Sequence, residues 1–177
     1  EITKEHNRMN RNNIVLLISF IFLVFFQTLV FNNLYLFGSI NPMIYVLFLI
    51  IYRFDNDETL FIFSSFALGF FVDFFSQSGG AHTVATLTVG FLRPMIIKYT
   101  FGVTSEIPGS FQNDTRILDK YLFLSLIVGL HHLLYFITVY FNWEATSVII
   151  KNTILTFVFS LILISLISVF YSKSNES

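Results

Sequence analysis

The chain alternates long apolar runs with short polar segments, and most of the apolar runs are long enough to cross a membrane. A bilayer core of about 30 Å takes about 20 helical residues. This pattern predicts an all-α polytopic membrane protein, a compact bundle of six transmembrane helices in a single domain over residues 1–177. The predicted spans are residues 14–31, 34–52, 59–75, 82–101, 121–141 and 148–171.

The second span is the least regular of the six. Residues 32–42 form an uncharged, turn-like stretch, and Met43 to Tyr52 is too short to cross alone. Adding residues 34–40 makes the run long enough, but only as a helix broken near Gly38 and Pro42. Such breaks are tolerated in a membrane where neighbouring helices cover the backbone. The polar stretch 102–120 is predicted to be a cytoplasmic loop, too short for a catalytic domain.

Basic residues orient the bundle. With six spans, nearly all of them fall on one side, which the positive-inside rule assigns to the cytoplasm together with both termini. These residues are Lys4, Arg8, Arg11, Arg53, Lys98, Arg116, Lys120 and Lys173. The opposite turns, 32–42, 76–81 and 142–147, hold no Lys or Arg. Lys151 is the exception, and its long side chain can snorkel from the start of the sixth span.

Composition narrows the function classes. The chain is 55% hydrophobic but only 12% charged, whereas soluble domains are about 25% charged. It has no cysteine and a net charge of −1, so disulfides, thiolate chemistry and nucleic-acid binding are not expected. Met9 fits a natural start, and on that interpretation we expect residues 1–8 to be a foreign extension. No small-residue cleavage site follows the first apolar run, so it is interpreted as a span and not a signal peptide.

Small and polar residues recur at helical spacing within four of the spans. Residues three or four apart share a helical face, and small residues let helices approach closely in lipid. We therefore expect these stripes to face one another and the phenylalanines to face lipid. Helix packing is a simpler interpretation of the stripes than a ligand site. The stripes are Ser65/Gly69/Asp73/Ser76, Thr83/Thr86/Gly90/Arg93, Ser125/Gly129/His132 and Asn152/Thr156/Ser160.

Two ionisable residues inside the spans need partners, because charge in the bilayer core is costly. Asp73 and Arg93 lie on adjacent antiparallel spans at similar estimated depths, which predicts a buried ion pair that His132 could join. The alternative is that Arg93 snorkels toward Lys98 while Asp73 reaches the headgroups. Pro94 removes a backbone hydrogen bond and predicts a kink.

The turn between the third and fourth spans has its own signals. Gly79 and Gly80 permit a tight turn, and His82 is interpreted as a polar start to the next span. A proton relay through Asp73, Arg93 and His132 is a sharper hypothesis with little support. The adjacent histidines at 131 and 132 point about 100° apart on a helix, and no His or Cys spacing suggests a metal site. No cofactor is expected.

The stretch GFFVDFFSQSGGAHTVATLTVGFLRP, residues 69–94, resembles the rod shape-determining protein MreD family. The first two spans add to the resemblance with a glutamine late in span one, Gln27, and the Asn-Pro of SINP. The matching residues, which with Gly79 form the predicted structural or interaction motif, are Gly69, Asp73, Ser76, Gly80, His82, Arg93 and Pro94.

The resemblance implies a non-enzymatic scaffold of the cell-elongation machinery in the bacterial inner membrane. Such a protein would bind the membrane anchor of MreC and link a RodA-type synthase and its transpeptidase to the MreB filament, with no small-molecule substrate. The family is similar in architecture to the S-components of energy-coupling-factor transporters. A vitamin-like carrier is therefore the alternative, expected to have an outer cavity near Asn142, Trp143 and Glu144. An interfacial anchor is the simpler role for Trp143. An intramembrane enzyme lacks a convincing catalytic set.

Overall fold

The structure, a computed structural model, describes residues 2–34, 36, 40–52, 58–102 and 117–174, with side chains from residue 14 to residue 168. These residues are helical apart from short connections and an isolated bridge between Leu36 and Ile40. The helices are α1 (Ile2–Leu29), α2 (Leu47–Ile51), α3 (Glu58–Ser76), α4 (Ala81–Phe101), α5 (Ile117–Tyr140) and α6 (Thr146–Ser174). Single 3₁₀ turns lie at Phe31–Asn33, Ile44–Val46 and Trp143–Ala145.

Four helical segments in the described part of the chain are long and apolar enough to cross a membrane: Ile14–Asn33, Glu58–Ser76, Ile117–Tyr140 and Trp143–Ser168. The predicted all-helical architecture is therefore confirmed and is consistent with a helical membrane protein. Six α-helices occur among the described residues, but only four of the six predicted spans correspond to these segments. Helix α4 is as long as these segments, but it carries His82, Arg93 and Lys98, which lower its hydropathy.

The ends of the described helices differ from the predicted span limits by different amounts, and α1 already begins at Ile2, well before residue 14. Helices α3 to α6 begin and end close to the predicted limits. The predicted cytoplasmic loop 102–120 is too long, because residues 117–120 already belong to the first turn of α5. Residues 103–116 of that loop lie outside the described residues.

Elements that follow one another along the chain alternate in direction. Helix α1 runs parallel to α3, since Phe25 lies 5.6 Å from Phe75, ring centroid to ring centroid, near the end of both helices. Helix α4 returns antiparallel to α3 and then packs antiparallel on α5. We call the end of the bundle that contains the α3–α4 turn, residues 77–80, the hairpin end.

The second predicted span is not a membrane-length helix. Its helical part is one 3₁₀ turn followed by the five residues of α2, which together rise only about 13 Å. The chain is non-helical around Pro42, as expected, whereas Gly38 lies outside the described residues. Residues 42–50 are buried, so this segment runs through the middle of the bundle and the other helices enclose its irregular backbone.

The small-residue stripes of α3 and α4 interlock, as predicted. A Cβ added to Gly69 would lie 2.5 Å from Thr83 Cα and 2.7 Å from the His82 carbonyl oxygen. A Cβ added to Gly90 would lie 2.6 Å from Ser65 Oγ. The two glycines therefore set how closely α3 and α4 approach. The exposed residues on the outer face of α3 are mostly phenylalanines, at 63, 66, 70, 71, 74 and 75.

We expect Gly90→Ala to lower the free energy of unfolding by about 1–3 kcal/mol, the usual cost of overpacking. The new methyl would collide with Ser65, and Ser65→Gly in the same chain should recover part of the loss. Gly129→Ala is the matched control, because its Cβ would make ordinary contact with Phe157 at 3.5 Å. Unfolding in detergent compares the wild-type protein with these three variants. Equal losses of stability for Gly90→Ala and Gly129→Ala would contradict the interlock.

Candidate functional site: a buried polar network

The Asp73 carboxylate caps the start of α4. One carboxylate oxygen accepts from the backbone N–H of His82 at 3.0 Å and from Ser78 Oγ at 2.5 Å. The other accepts from the backbone N–H of Thr83 at 2.7 Å and from its hydroxyl at 2.5 Å. The first N–H groups of a helix lack intrahelical partners and attract negative charge. Asp73 supplies both needs from the neighbouring helix.

The turn that allows this capping depends on left-handed backbone. Gly79 and Gly80 have φ of +68° and +94°, and Gln77 has φ of +53°. Nothing would obstruct a Cβ at either glycine, so conformation rather than space calls for glycine there. Ser76, the last residue of α3, accepts a hydrogen bond from Asn32 and ties the turn to the end of α1.

Arg93 caps the end of α2. Its guanidinium donates to the carbonyl oxygens of Ile50 at 3.3 Å and Tyr52 at 2.5 Å. The same group lies 4.6 Å from the centroid of the Phe61 ring, within cation–π range. The last carbonyls of a helix lack partners and attract positive charge. The side chain is fully buried, so the alternative interpretation, in which Arg93 snorkels toward Lys98, is wrong.

The predicted ion pair between Asp73 and Arg93 is also wrong. Asp73 lies three residues from the end of α3 and holds the first turn of α4, whereas Arg93 comes ten residues after Thr83. That spacing is about 15 Å along the helix. The two residues lie at different depths because α3 ends only three residues after Asp73, which puts Asp73 close to the hairpin end of the bundle. Pro94 lies inside α4, which continues to Phe101; the kink there stays a prediction.

Gln27 holds the break in the second span. Its amide nitrogen donates to the Pro42 carbonyl at 3.1 Å and to Asn32 Oδ1 at 2.9 Å. Its oxygen accepts from the backbone N–H groups of Ile44 at 2.9 Å and Tyr45 at 3.4 Å. One fully buried side chain thus satisfies backbone groups that the break leaves without helical partners.

Tyr45 connects three elements at the centre of the bundle. Its hydroxyl lies 2.7 Å from His82 Nδ1 on α4 and 2.8 Å from His131 Nε2 on α5. The Tyr135 ring packs on His82, with centroids 4.4 Å apart. We call Tyr45, His82 and His131 the tyrosine bridge.

His132 does not join Asp73 or Arg93, contrary to the hypothesis. Its Nδ1 lies 2.6 Å from the Val128 carbonyl oxygen, so this nitrogen carries the proton, and Nε2 then accepts from Ser160 Oγ at 3.0 Å. Ser160 also accepts from the Met43 backbone N–H at 2.9 Å. The two adjacent histidines therefore serve different partners, as their helical spacing predicts.

Sequence reasoning missed three of these roles. Tyr45 has a hydroxyl within an apolar run, which is a weak signal because tyrosine is common at the ends of spans. Gln27 stood out as an amide inside a span but was not linked to Pro42. Arg93 was recognised as buried, but its acceptors are backbone carbonyls, which no residue type in the sequence reveals.

The residues expected to line a carrier cavity form an exposed turn. Trp143 is 94% exposed, and the Asn142 side chain accepts from the backbone N–H of Glu144 at 3.0 Å. A groove of about 450 Å³ lies elsewhere, between α1 and α3, and its walls are almost entirely apolar. In the described part of the chain, no group of three or more His, Asp or Glu side chains could hold a metal ion.

Comparison with protein-family models, curated proteins and solved structures gives no match.

Because the Asp73 and Arg93 caps lie far apart, we expect their losses to add. Asp73→Ala should lower the free energy of unfolding by about 2 kcal/mol through loss of a charged cap. The double variant with Arg93→Leu should match the sum of the single changes within about 0.5 kcal/mol. Unfolding in detergent measures the cycle, with the exposed Glu144→Ala as a neutral control. If the double variant loses clearly less free energy of unfolding than this sum, the two side chains interact and the ion-pair hypothesis is supported after all.

Gln27→Leu should lower the free energy of unfolding by about 2 kcal/mol, because it leaves buried backbone groups at Pro42 and Ile44 without partners. Thr28→Val is the matched control, since the Thr28 hydroxyl bonds only to carbonyls of its own helix. The same unfolding assay compares the two variants. Similar stability of both would show that Gln27 does not hold the break.

Proposed function

We propose that this protein is a non-enzymatic scaffold of the bacterial cell-elongation machinery, of the MreD type. It resides in the inner membrane as a multi-pass protein with both termini in the cytoplasm. It binds the membrane anchor of MreC and so links RodA-type peptidoglycan synthesis and its transpeptidase to the MreB filament. Its six-helix bundle follows the architecture of S-components without taking their substrates.

The main support for this proposal is a set of hydrogen bonds that connects the residues carrying the resemblance to the MreD family. Gln27 holds the backbone at Pro42 and bonds to Asn32, which donates to Ser76 at the end of α3, close to the turn that contains Gly80. Asp73, three residues earlier on α3, caps the start of α4 at His82. Residues scattered over two sequence stretches thus stabilise one region of the bundle. Such a region suits a protein whose function is to present a fixed surface.

The direction of the helices supports the proposed orientation. Alternating elements put the start of α1 and the end of α6 at the end of the bundle opposite the hairpin end. Lys98, in the last turn of α4, lies at that same end. The positive-inside rule assigns an end rich in basic residues to the cytoplasm.

Helices α1 and α6 supply surface for a partner span. In the most apolar part of each span, only 17% is buried inside the bundle for α1 and 22% for α6, compared with 39% for α5. Their outer faces are apolar, with exposed residues such as Ile18, Phe22, Ile154 and Ile162. The membrane anchor of MreC requires such a face, because helices associate in lipid by close packing.

Co-purification tests the proposal. The tagged protein is expressed with a full-length MreC and extracted in mild detergent, and we expect MreC to be retained. The matched control is the same MreC with its membrane span replaced by an unrelated single span, which should be lost. Equal retention or equal loss of both would contradict the proposal. A vitamin-sized molecule found by mass spectrometry in the purified protein would favour the carrier instead.

A further inference from the structure

The tyrosine bridge places three titratable side chains in one buried hydrogen-bonded row. Tyr45, His82 and His131 are at most 3% exposed. They come from α4, α5 and the largely buried segment of residues 42–51, which we call the central segment, so the bridge is a direct link among three elements. The single hydroxyl proton of Tyr45 serves only one of the two histidines. The other histidine must donate its own N–H to the hydroxyl oxygen.

The number of available protons determines which group donates and which accepts in each hydrogen bond of the tyrosine bridge. His131 Nδ1 is buried and has no hydrogen-bond partner among the described residues. A bare lone pair costs less there than an orphaned N–H, so the proton of neutral His131 belongs on Nε2. His131 then donates to Tyr45, and Tyr45 donates to His82 Nδ1. With both histidines neutral, every nitrogen of the row that faces Tyr45 is satisfied.

An added proton breaks this arrangement at either histidine. On His131 it must go to Nδ1, which then becomes a buried N–H without an acceptor in the described structure. On His82 it must go to Nδ1, which then faces the Tyr45 hydroxyl as a second donor. Reversing the hydroxyl moves the His131 proton from Nε2 to Nδ1 and creates the same orphaned N–H. Buried donors without acceptors destabilise the folded state.

The surrounding groups act in opposite directions on a charged histidine. Asp73, on α3, lies next to the backbone of His82 and favours a positive charge there. Both of its oxygens already accept other hydrogen bonds. The start of α4 disfavours a positive charge at His82, because the helix dipole is positive there. On α5, the Tyr135 ring covers His82, and the His132 ring lies 5.4 Å from that of His131. Arg93 is about 16 Å farther along α4.

We propose that the tyrosine bridge is an acid-sensitive lock that holds α4 and α5 to the central segment while both histidines are neutral. Protonation of either histidine loosens residues 44–51 from the two helices. The row does not continue beyond His131 Nδ1 in the described structure. It therefore responds to protons without passing them across the bundle.

Replacing the two histidines with neutral mimics tests the lock. Asn at position 82 keeps an acceptor near the place of Nδ1, and Gln at position 131 keeps a donor near the place of Nε2. The melting temperature in nanodiscs is measured between about pH 8 and pH 5, the range in which histidine changes charge. We expect it to fall by several degrees in the wild-type protein. In the His82→Asn/His131→Gln variant, at least half of this fall should disappear.

His132→Gln is the matched control, because it removes a buried histidine outside the bridge. It should keep the wild-type fall in melting temperature. An unchanged fall in the double variant, or its loss in His132→Gln, would overturn the proposal. Hydrogen exchange of the wild-type protein is the second measurement, with protection factors corrected for intrinsic exchange. Residues 44–51 should lose protection in acid more than residues 61–72 of α3, and equal loss in both would also overturn the lock.

Discussion

The need to satisfy backbone hydrogen bonds inside a membrane governs this structure. A lipid interior offers no water, so each unpaired N–H or C=O costs several kcal/mol. The second crossing of the bundle has only a short helical part, residues 44–51, and therefore leaves backbone groups at both ends without helical partners. Gln27 bonds to the start of this crossing, Ser160 to Met43, and Arg93 to the carbonyls at its end. Much of the buried polar chemistry of the protein serves this one irregular segment.

The same requirement explains the two buried charges. Asp73 and Arg93 look like partners in the sequence, because opposite charges in a membrane are expected to pair. Each instead meets a helix end whose partial charge is opposite to its own. Asp73 faces the N-terminus of α4, and Arg93 faces the C-terminus of α2. A helix end fixed in the protein thus replaces the counter-ion.

The hydrophobic pattern was sufficient to predict the long helices, because a run of about 20 apolar residues has few alternatives. Helical spacing also predicted the contacts of Gly69 and Gly90, since small residues mark close packing. Partners within the buried network were harder to predict. Arg93 bonds to carbonyls, which are present at every position, and Tyr45 joins residues 37 and 86 positions away. Such choices depend on three-dimensional packing that periodicity does not encode.

The hydrogen bond from Met43 to Ser160 joins residues 117 positions apart, and it constrains how the protein is made. Ribosomes deliver the chain from its N-terminus, so the central segment leaves the ribosome long before α6 exists. The α3–α4 hairpin, whose cap and glycine contacts are local, can assemble during synthesis. The central segment completes its hydrogen bonds only after the last helix has been inserted. The backbone N–H of Met43 therefore lacks this partner until the chain is nearly finished.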